Sequence, residues 1–144
     1  MQNKKLEASG KALKILSIDN QAGALEDFLT YLEHDTALDG EYQFQIVRVH
    51  DAGAGLKLLI EHKNFNLAMV EQNLEGEMKG DDLVVRIREV DKNIFMFLFT
   101  DVEPEQRNPG IKKCPVFIFG HSHNVGLLLA EAKDRARLSR QWES

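Results

Sequence analysis

Apolar positions recur along this chain with two periods, and segments of the two kinds alternate. Four consecutive apolar residues, Leu67 to Val70, read as a strand buried on both faces, the pattern of the middle of a parallel sheet. Glu71 closes that strand and leads into the acidic, glycine-bearing loop Gln72 to Gly76. Ile94 to Phe99 is the most hydrophobic stretch and predicts another central strand, ending at Thr100 and Asp101. Leu13 to Ile18, ending at Asp19 and Asn20, and Val116 to Phe119, ending at Gly120, read as two more. Phe44 to Val49 alternates imperfectly, since Phe44 and Ile46 share a face with Arg48 while Val47 and Val49 share the other with Gln45. Such a mixture is expected nearer a sheet edge.

Between the strands the period lengthens. Leu25, Phe28, Leu29 and Leu32 recur at three and four residues and predict an amphipathic helix from about Gln21 to about Glu33. Ala52 to His62 predicts a helix that buries Leu56, Leu59 and Ile60, with Asp51 as its N-cap. Gly80-Asp81-Asp82 opens another whose apolar face is Leu83, Val84, Ile87 and Val90. A last helix, from about Val125 to Gln141, turns Leu128, Leu129, Ala132 and Ala136 inward and leaves Lys133, Arg135, Arg137 and Arg140 as a solvated basic side. Pro104, Pro109 and Gly110 limit the crossover between Asp101 and Pro115 to at most about one helical turn. Five strands joined by right-handed crossovers make an α/β doubly wound parallel sheet of flavodoxin type, with a shortened or absent fourth helix. The strand ends at Asp19, Glu71, Thr100 and Gly120 then converge on the edge where such sheets collect ligands and chemistry.

Size and charge narrow the function. The 144 residues suit one domain, expected over 12–144 behind a polar leader at 1–11. A formal net charge of -5 argues against a nucleic-acid binder driven by phosphate neutralisation. The one cysteine, Cys114, rules out an intramolecular disulfide. No apolar run approaches about 18 residues and 1–14 lacks a signal-peptide core, so a cytoplasmic protein with no membrane span is expected.

Candidate chemistry is sparse. His121-Ser122-His123 has the spacing for two ligands to one metal, yet Ser122 or Asn124 capping the last helix explains the same residues. There is no Gly-x-Gly-x-x-Gly fingerprint after the first strand, no Walker loop and no nucleophile elbow. These absences argue against an NTPase, a dinucleotide enzyme or a hydrolase.

From Leu13 to Arg137 the sequence resembles a receiver domain of the response-regulator (CheY-like) family. Lys14 to Asn20 resembles the family's opening strand with its acidic pair, Leu67 to Gly76 the phosphoacceptor strand and loop, Ile94 to Thr100 the fourth strand with its hydroxyl, and Phe117 to Gly120 the fifth. The resemblance implies a phosphoryl group taken on an aspartate, Mg²⁺ held by that carboxylate and the acidic pair, and a lysine and a hydroxyl on the phosphate. This chain keeps part of the set. Asp19 matches the first acid, Asn20 replaces the second, and Glu71 stands at the phosphoacceptor position. Thr100 matches the hydroxyl, Gly120 falls at the lysine position, and Phe117 matches the aromatic that swings with activation in the family.

The expected molecule is therefore a degenerate pseudo-receiver, a stand-alone signalling module that acts through protein–protein interaction and is not an enzyme. Glu71 is either a built-in anion bonded to Thr100 or a solvated loop carboxylate. No cofactor is required, and weak Mg²⁺ binding stays open. The partner implied is a protein, a sensor kinase or a downstream effector, with a homodimer as a further option. The alternatives are a phosphorelay receiver with an altered but working site, and a small-ligand or metal-dependent enzyme using the same sheet edge.

Overall fold

In the computed structural model the described residues are 11–20, 42–62, 64–114 and 116–119. The helices expected near 21–33 and 125–141, Gly120 and the His121–His123 loop lie outside them. Five strands, β1 (Lys11–Ile18), β2 (Tyr42–Val49), β3 (Leu67–Glu71), β4 (Phe95–Phe99) and β5 (Phe117–Phe119), form one sheet in the order β2-β1-β3-β4-β5. Every neighbouring pair is parallel. The imperfectly alternating strand β2 is indeed at the edge. β3 and β4 are central, and Leu67, Ala68, Met69, Val70, Phe97, Leu98 and Phe99 are fully buried, as runs without polar alternation require.

Among the described residues two helices cover one face, α1 (Ala52–Glu61) and α2 (Gly80–Val90). Leu59, Leu83, Val84 and Ile87 from these helices meet Leu16, Ile18, Val70, Met96 and Leu98 in one apolar cluster. Asp51 caps α1 as expected, its Oδ1 accepting from the Ala54 N–H at 2.7 Å. The inward stripe of α1 differs from the expected one. Leu59 is buried as expected and Leu56 packs partly against the core, but Ile60 is 58% exposed, and Ala52 and Gly55 face the sheet in its place. The physical reason is Gly55: a Cβ there would come within 2.5 Å of Ile18 Cδ1, so the helix approaches the sheet along its small residues and rotates Ile60 outward.

The crossover from β4 to β5 carries two short 3-10 turns, Pro104–Gln106 and Pro109–Lys113. A proline at the start of each turn is tolerated because the missing N–H there has no partner to lose. Ile111 is the buried anchor of this segment. No helix among the described residues is long and apolar enough to cross a membrane.

Candidate functional site at the strand ends

The carboxyl ends of β1, β3 and β4 bring three of the expected residues together. Ile18 pairs with Val70 and Glu71 with Phe99, so the register sets Asp19 and Thr100 on either side of Glu71. All three are enclosed, with Asp19 at 0%, Glu71 at 2% and Thr100 at 2% exposure. Burial overturns the solvated-loop reading of Glu71. The Thr100 hydroxyl oxygen accepts from the Val102 N–H at 3.0 Å, a turn of its own loop, so its structural partner is Val102 and not Glu71.

Asp19 is held at both carboxylate oxygens. Its Oδ2 accepts from Ser17 Oγ at 2.8 Å, and its Oδ1 accepts from Arg48 Nη2 at 3.0 Å. Arg48 Nε lies 3.4 Å from Oδ2, completing a two-pronged contact. The guanidinium comes from β2, where Arg48 stands beside Ser17 in register, so its side chain runs along the strand to the end of β1. A planar fork on a carboxylate is the strongest arrangement an arginine offers. His50 Nδ1 sits 3.2 Å from the Asp19 carbonyl oxygen. Asn20, at the second acid's position, donates its amide to the Asn73 carbonyl at 3.0 Å and ties β1 to the loop after β3.

On the other side of Glu71, a buried polar cluster fixes the loop. Gln72 donates its amide to Asp81 Oδ1 at 3.0 Å and accepts from the Asp81 N–H at 3.1 Å. Asp81 Oδ2 accepts from the Asn108 N–H at 2.7 Å, and Asn108 donates its side-chain amide to Asp82 Oδ1 at 2.8 Å. The loop, the start of α2 and the shortened crossover are thus one hydrogen-bonded unit. Gly80 lets them close up, since a Cβ there would lie 2.5 Å from the Glu71 carbonyl oxygen and 2.7 Å from Gln72 Cα. Asp81 and Asp82 also place negative charge in the first turn of α2, where the helix dipole favours it.

A magnesium ion, which the resemblance implies, demands near-octahedral oxygen ligands. The residues present do not fit that demand. Both oxygens of Asp19 already face a cation and a hydroxyl, and Asn20 points its amide donor at Asn73. Among the described residues no group of three or more His, Cys, Asp or Glu side chains is gathered as a metal site. A shallow depression lined in part by Met78, Val85, Arg86 and Asn108 lies on the flank of α2, away from Asp19 and Glu71.

Gly120 and the side chain of Phe117 lie outside the described residues; the backbone of Phe117 pairs with Phe97 in β5. Two groups of residues were missed by sequence reasoning. Arg48 had a signal, a charged residue on the face of Phe44 and Ile46 near a strand's end. The link from Gln72 through Asp81 to Asn108 had none, because its members are scattered through a loop, a helix start and a crossover.

Comparison with solved structures is consistent with this topology. The chain is similar to a CheY-like response regulator receiver domain protein from Methanospirillum hungatei JF-1, with 19% identity and a TM-score of 0.71 over 91% of this chain and 98% of that one. It is similar to a response regulator receiver protein from Sinorhizobium medicae WSM419, with 15% identity and a TM-score of 0.69 over 90% and 98% of the two chains. An adenylate cyclase from Rhodopirellula baltica matches with 16% identity and a TM-score of 0.70 over 92% and 93%. No family model and no curated protein matches the sequence. At these identities the likeness is one of fold, and the fold is the flavodoxin-like one of receiver domains.

Proposed function

We propose that this chain, built on the receiver fold, is a pseudo-receiver: a signalling module that acts by binding a protein partner and takes no phosphoryl group at its strand ends. The observation that carries the reading is Glu71, buried at the end of β3 where the resemblance puts the phosphoacceptor. A glutamate holds its carboxylate one methylene farther out than an aspartate. Misplacement by about 1 Å costs on the order of a hundredfold in a reaction that depends on in-line geometry. The engagement of Asp19 by Arg48 supports the same reading, because phosphoryl transfer relies on cations that neutralise the transferred group. Glu71 then serves as a fixed anion that holds one signalling conformation. The activity is binding and not turnover, the partner is a sensor kinase or an effector protein, and the setting is the cytoplasm.

A phosphorelay receiver with an altered site is the second reading, favoured by the retention of Asp19 and Thr100 at the ends of β1 and β4. Beryllofluoride separates the two, since it mimics a phosphoryl group on a carboxylate. In an amide NMR titration with beryllofluoride and Mg²⁺, the pseudo-receiver leaves the amides of Asp19, Glu71 and Thr100 unmoved. Clustered shifts at those three overturn it. Glu71→Asp is expected to stay silent as well while Arg48 is present.

A further inference from the structure

We infer that the outer flank of α2 is a docking groove for a basic, amphipathic helix of a partner protein. The inference rests on the signalling reading above only for the partner being a protein. Asp82, Val85, Arg86 and Glu89 recur at three and four residues and form one stripe of α2, opposite Leu83, Val84 and Ile87, which the core buries. With Met78 from the loop after β3 and Asn108 from the crossover, that stripe lines a depression of about 350 Å³. The shortened crossover builds its far wall. Pro109–Lys113 runs close against α2, where a Cβ on Gly110 would stand 3.1 Å from Val85 Cγ2. Asn108 is pinned there, donating its side-chain amide to Asp82 Oδ1 at 2.8 Å and its N–H to Asp81 Oδ2 at 2.7 Å.

The lining states the chemistry of its occupant. Met78 and Val85 are half-buried and packed in part against the core, so their outer surfaces form an apolar floor with solid backing. Methionine also adapts its shape to what lies on it. Three carboxylates, those of Glu77, Asp82 and Glu89, stand around this floor against one guanidinium, that of Arg86. Arg86 Nε lies 3.4 Å from Glu89 Oε1, but the two side chains are 59% and 66% exposed, and a pair so open to water contributes little. Lys79, next to Met78 in sequence, holds its ammonium on the Leu74 carbonyl at 2.7 Å. The surplus negative charge favours a cationic partner and repels nucleic acid and anionic lipid. Exposed ion pairs alone hold weakly, so the occupant also needs an apolar side chain to cover Met78 and Val85. A helix with an apolar stripe between rows of lysine or arginine, laid along the stripe of α2, meets both demands.

The test is an amide NMR titration of the full chain with a synthetic amphipathic helix of leucine and lysine, and with its counterpart carrying glutamate for lysine. The lysine peptide is expected to shift amides across 77–89 and 108–110, and the glutamate peptide to shift none of them. Glu77→Gln with Glu89→Gln should weaken the lysine peptide about tenfold. Met78→Gln, which keeps the length of the side chain and makes the floor polar, should weaken it about fivefold without any change of charge. Arg86→Gln removes the guanidinium from the lining and should tighten binding about threefold. All four residues lie at the surface or half-buried, and the Met78 variant stands on its own should the double variant fail to fold.

No shift with the lysine peptide up to about 1 mM overturns the proposal, since a groove that weak selects nothing. Shifts centred on the strand ends in place of α2, equal binding of the glutamate peptide, or an unchanged affinity in both the double variant and Met78→Gln overturn it as well. The two readings fail separately. A silent peptide titration removes the groove and leaves Glu71 as the pseudo-receiver reading has it. Beryllofluoride shifts at Asp19, Glu71 and Thr100 remove the pseudo-receiver reading and leave the groove to be judged by the peptide.

Discussion

Asp19 and Asp81 are both buried carboxylates within reach of the end of β3, and they are held in opposite ways. Asp19 is met by a charge, the Arg48 guanidinium, that lies partly in water. Asp81 is met by neutral donors, the Gln72 amide and the backbone N–H groups of Asp82 and Asn108. A charge partner neutralises the carboxylate and decides what else can bind there. Neutral donors leave the charge in place and use it to fix the positions of three backbone segments. The first corner of the molecule is therefore about chemistry excluded, and the second about geometry held.

The largest expected effect comes from breaking the second corner. Asp81→Ala strands three donors at once, and hydrogen bonds to a buried charged acceptor are each worth about 1.5–3 kcal/mol, of which part is regained from water. A loss of about 3 kcal/mol in denaturant unfolding is expected, with a Tm lower by roughly 10 °C. The amides of Gln72 and Asn108 should also lose hydrogen-exchange protection together. A loss below about 1 kcal/mol would mean that the cluster contributes little and that apolar packing alone sets the loop.

Gly80→Ala tests the same corner through volume. The added methyl meets the Glu71 carbonyl oxygen and Gln72 Cα, both backbone atoms that cannot swing away. Overpacking of this kind costs about 2 kcal/mol. The displacement should be read at Glu71 and Gln72, as amide shift changes absent from β1 and β2. Shifts that reach Asp19 instead would mean that the two corners are one mechanical unit.

Much of this was legible in the chain. β3 and β4 showed themselves because strands buried on both faces carry no polar alternation, and Leu67–Val70 and Phe95–Phe99 carry none. The shortened crossover followed from Pro104 and Pro109, and the edge position of β2 from its broken alternation. The outward turn of Ile60 was hidden because hydrophobicity ranks isoleucine above Gly55, whereas close approach to Ile18 ranks them the other way. A bond from Thr100 to Glu71 is one of two alternatives at the sequence level, and the structure gives the hydroxyl a local turn to Val102. The bond from Arg48 to Asp19 spans 29 residues and that from Asn108 to Asp81 spans 27. A lone sequence carries no signal for which strand end a long side chain will reach.

The smallest effect should distinguish the corners most clearly. Arg48→Met leaves Asp19 without its guanidinium, and a fully buried pair broken in this way would cost about 3–5 kcal/mol. Arg48 is a third exposed, however, so water and ions can reach the vacated side, and a loss of about 1.5 kcal/mol is expected. Salt then separates this loss from that of Asp81→Ala. The Debye length falls from about 10 Å at 0.1 M to about 3 Å at 1 M, comparable to the 3.0 Å contact itself. Screening therefore weakens the wild-type pair only from its solvent side, and the Arg48→Met deficit should shrink by about a third across that range. The Asp81→Ala deficit, made of bonds to neutral donors in a nearly closed site, should not change. Equal salt sensitivity in the two variants would show that both carboxylates are neutralised by charge, and the contrast between the corners would be lost.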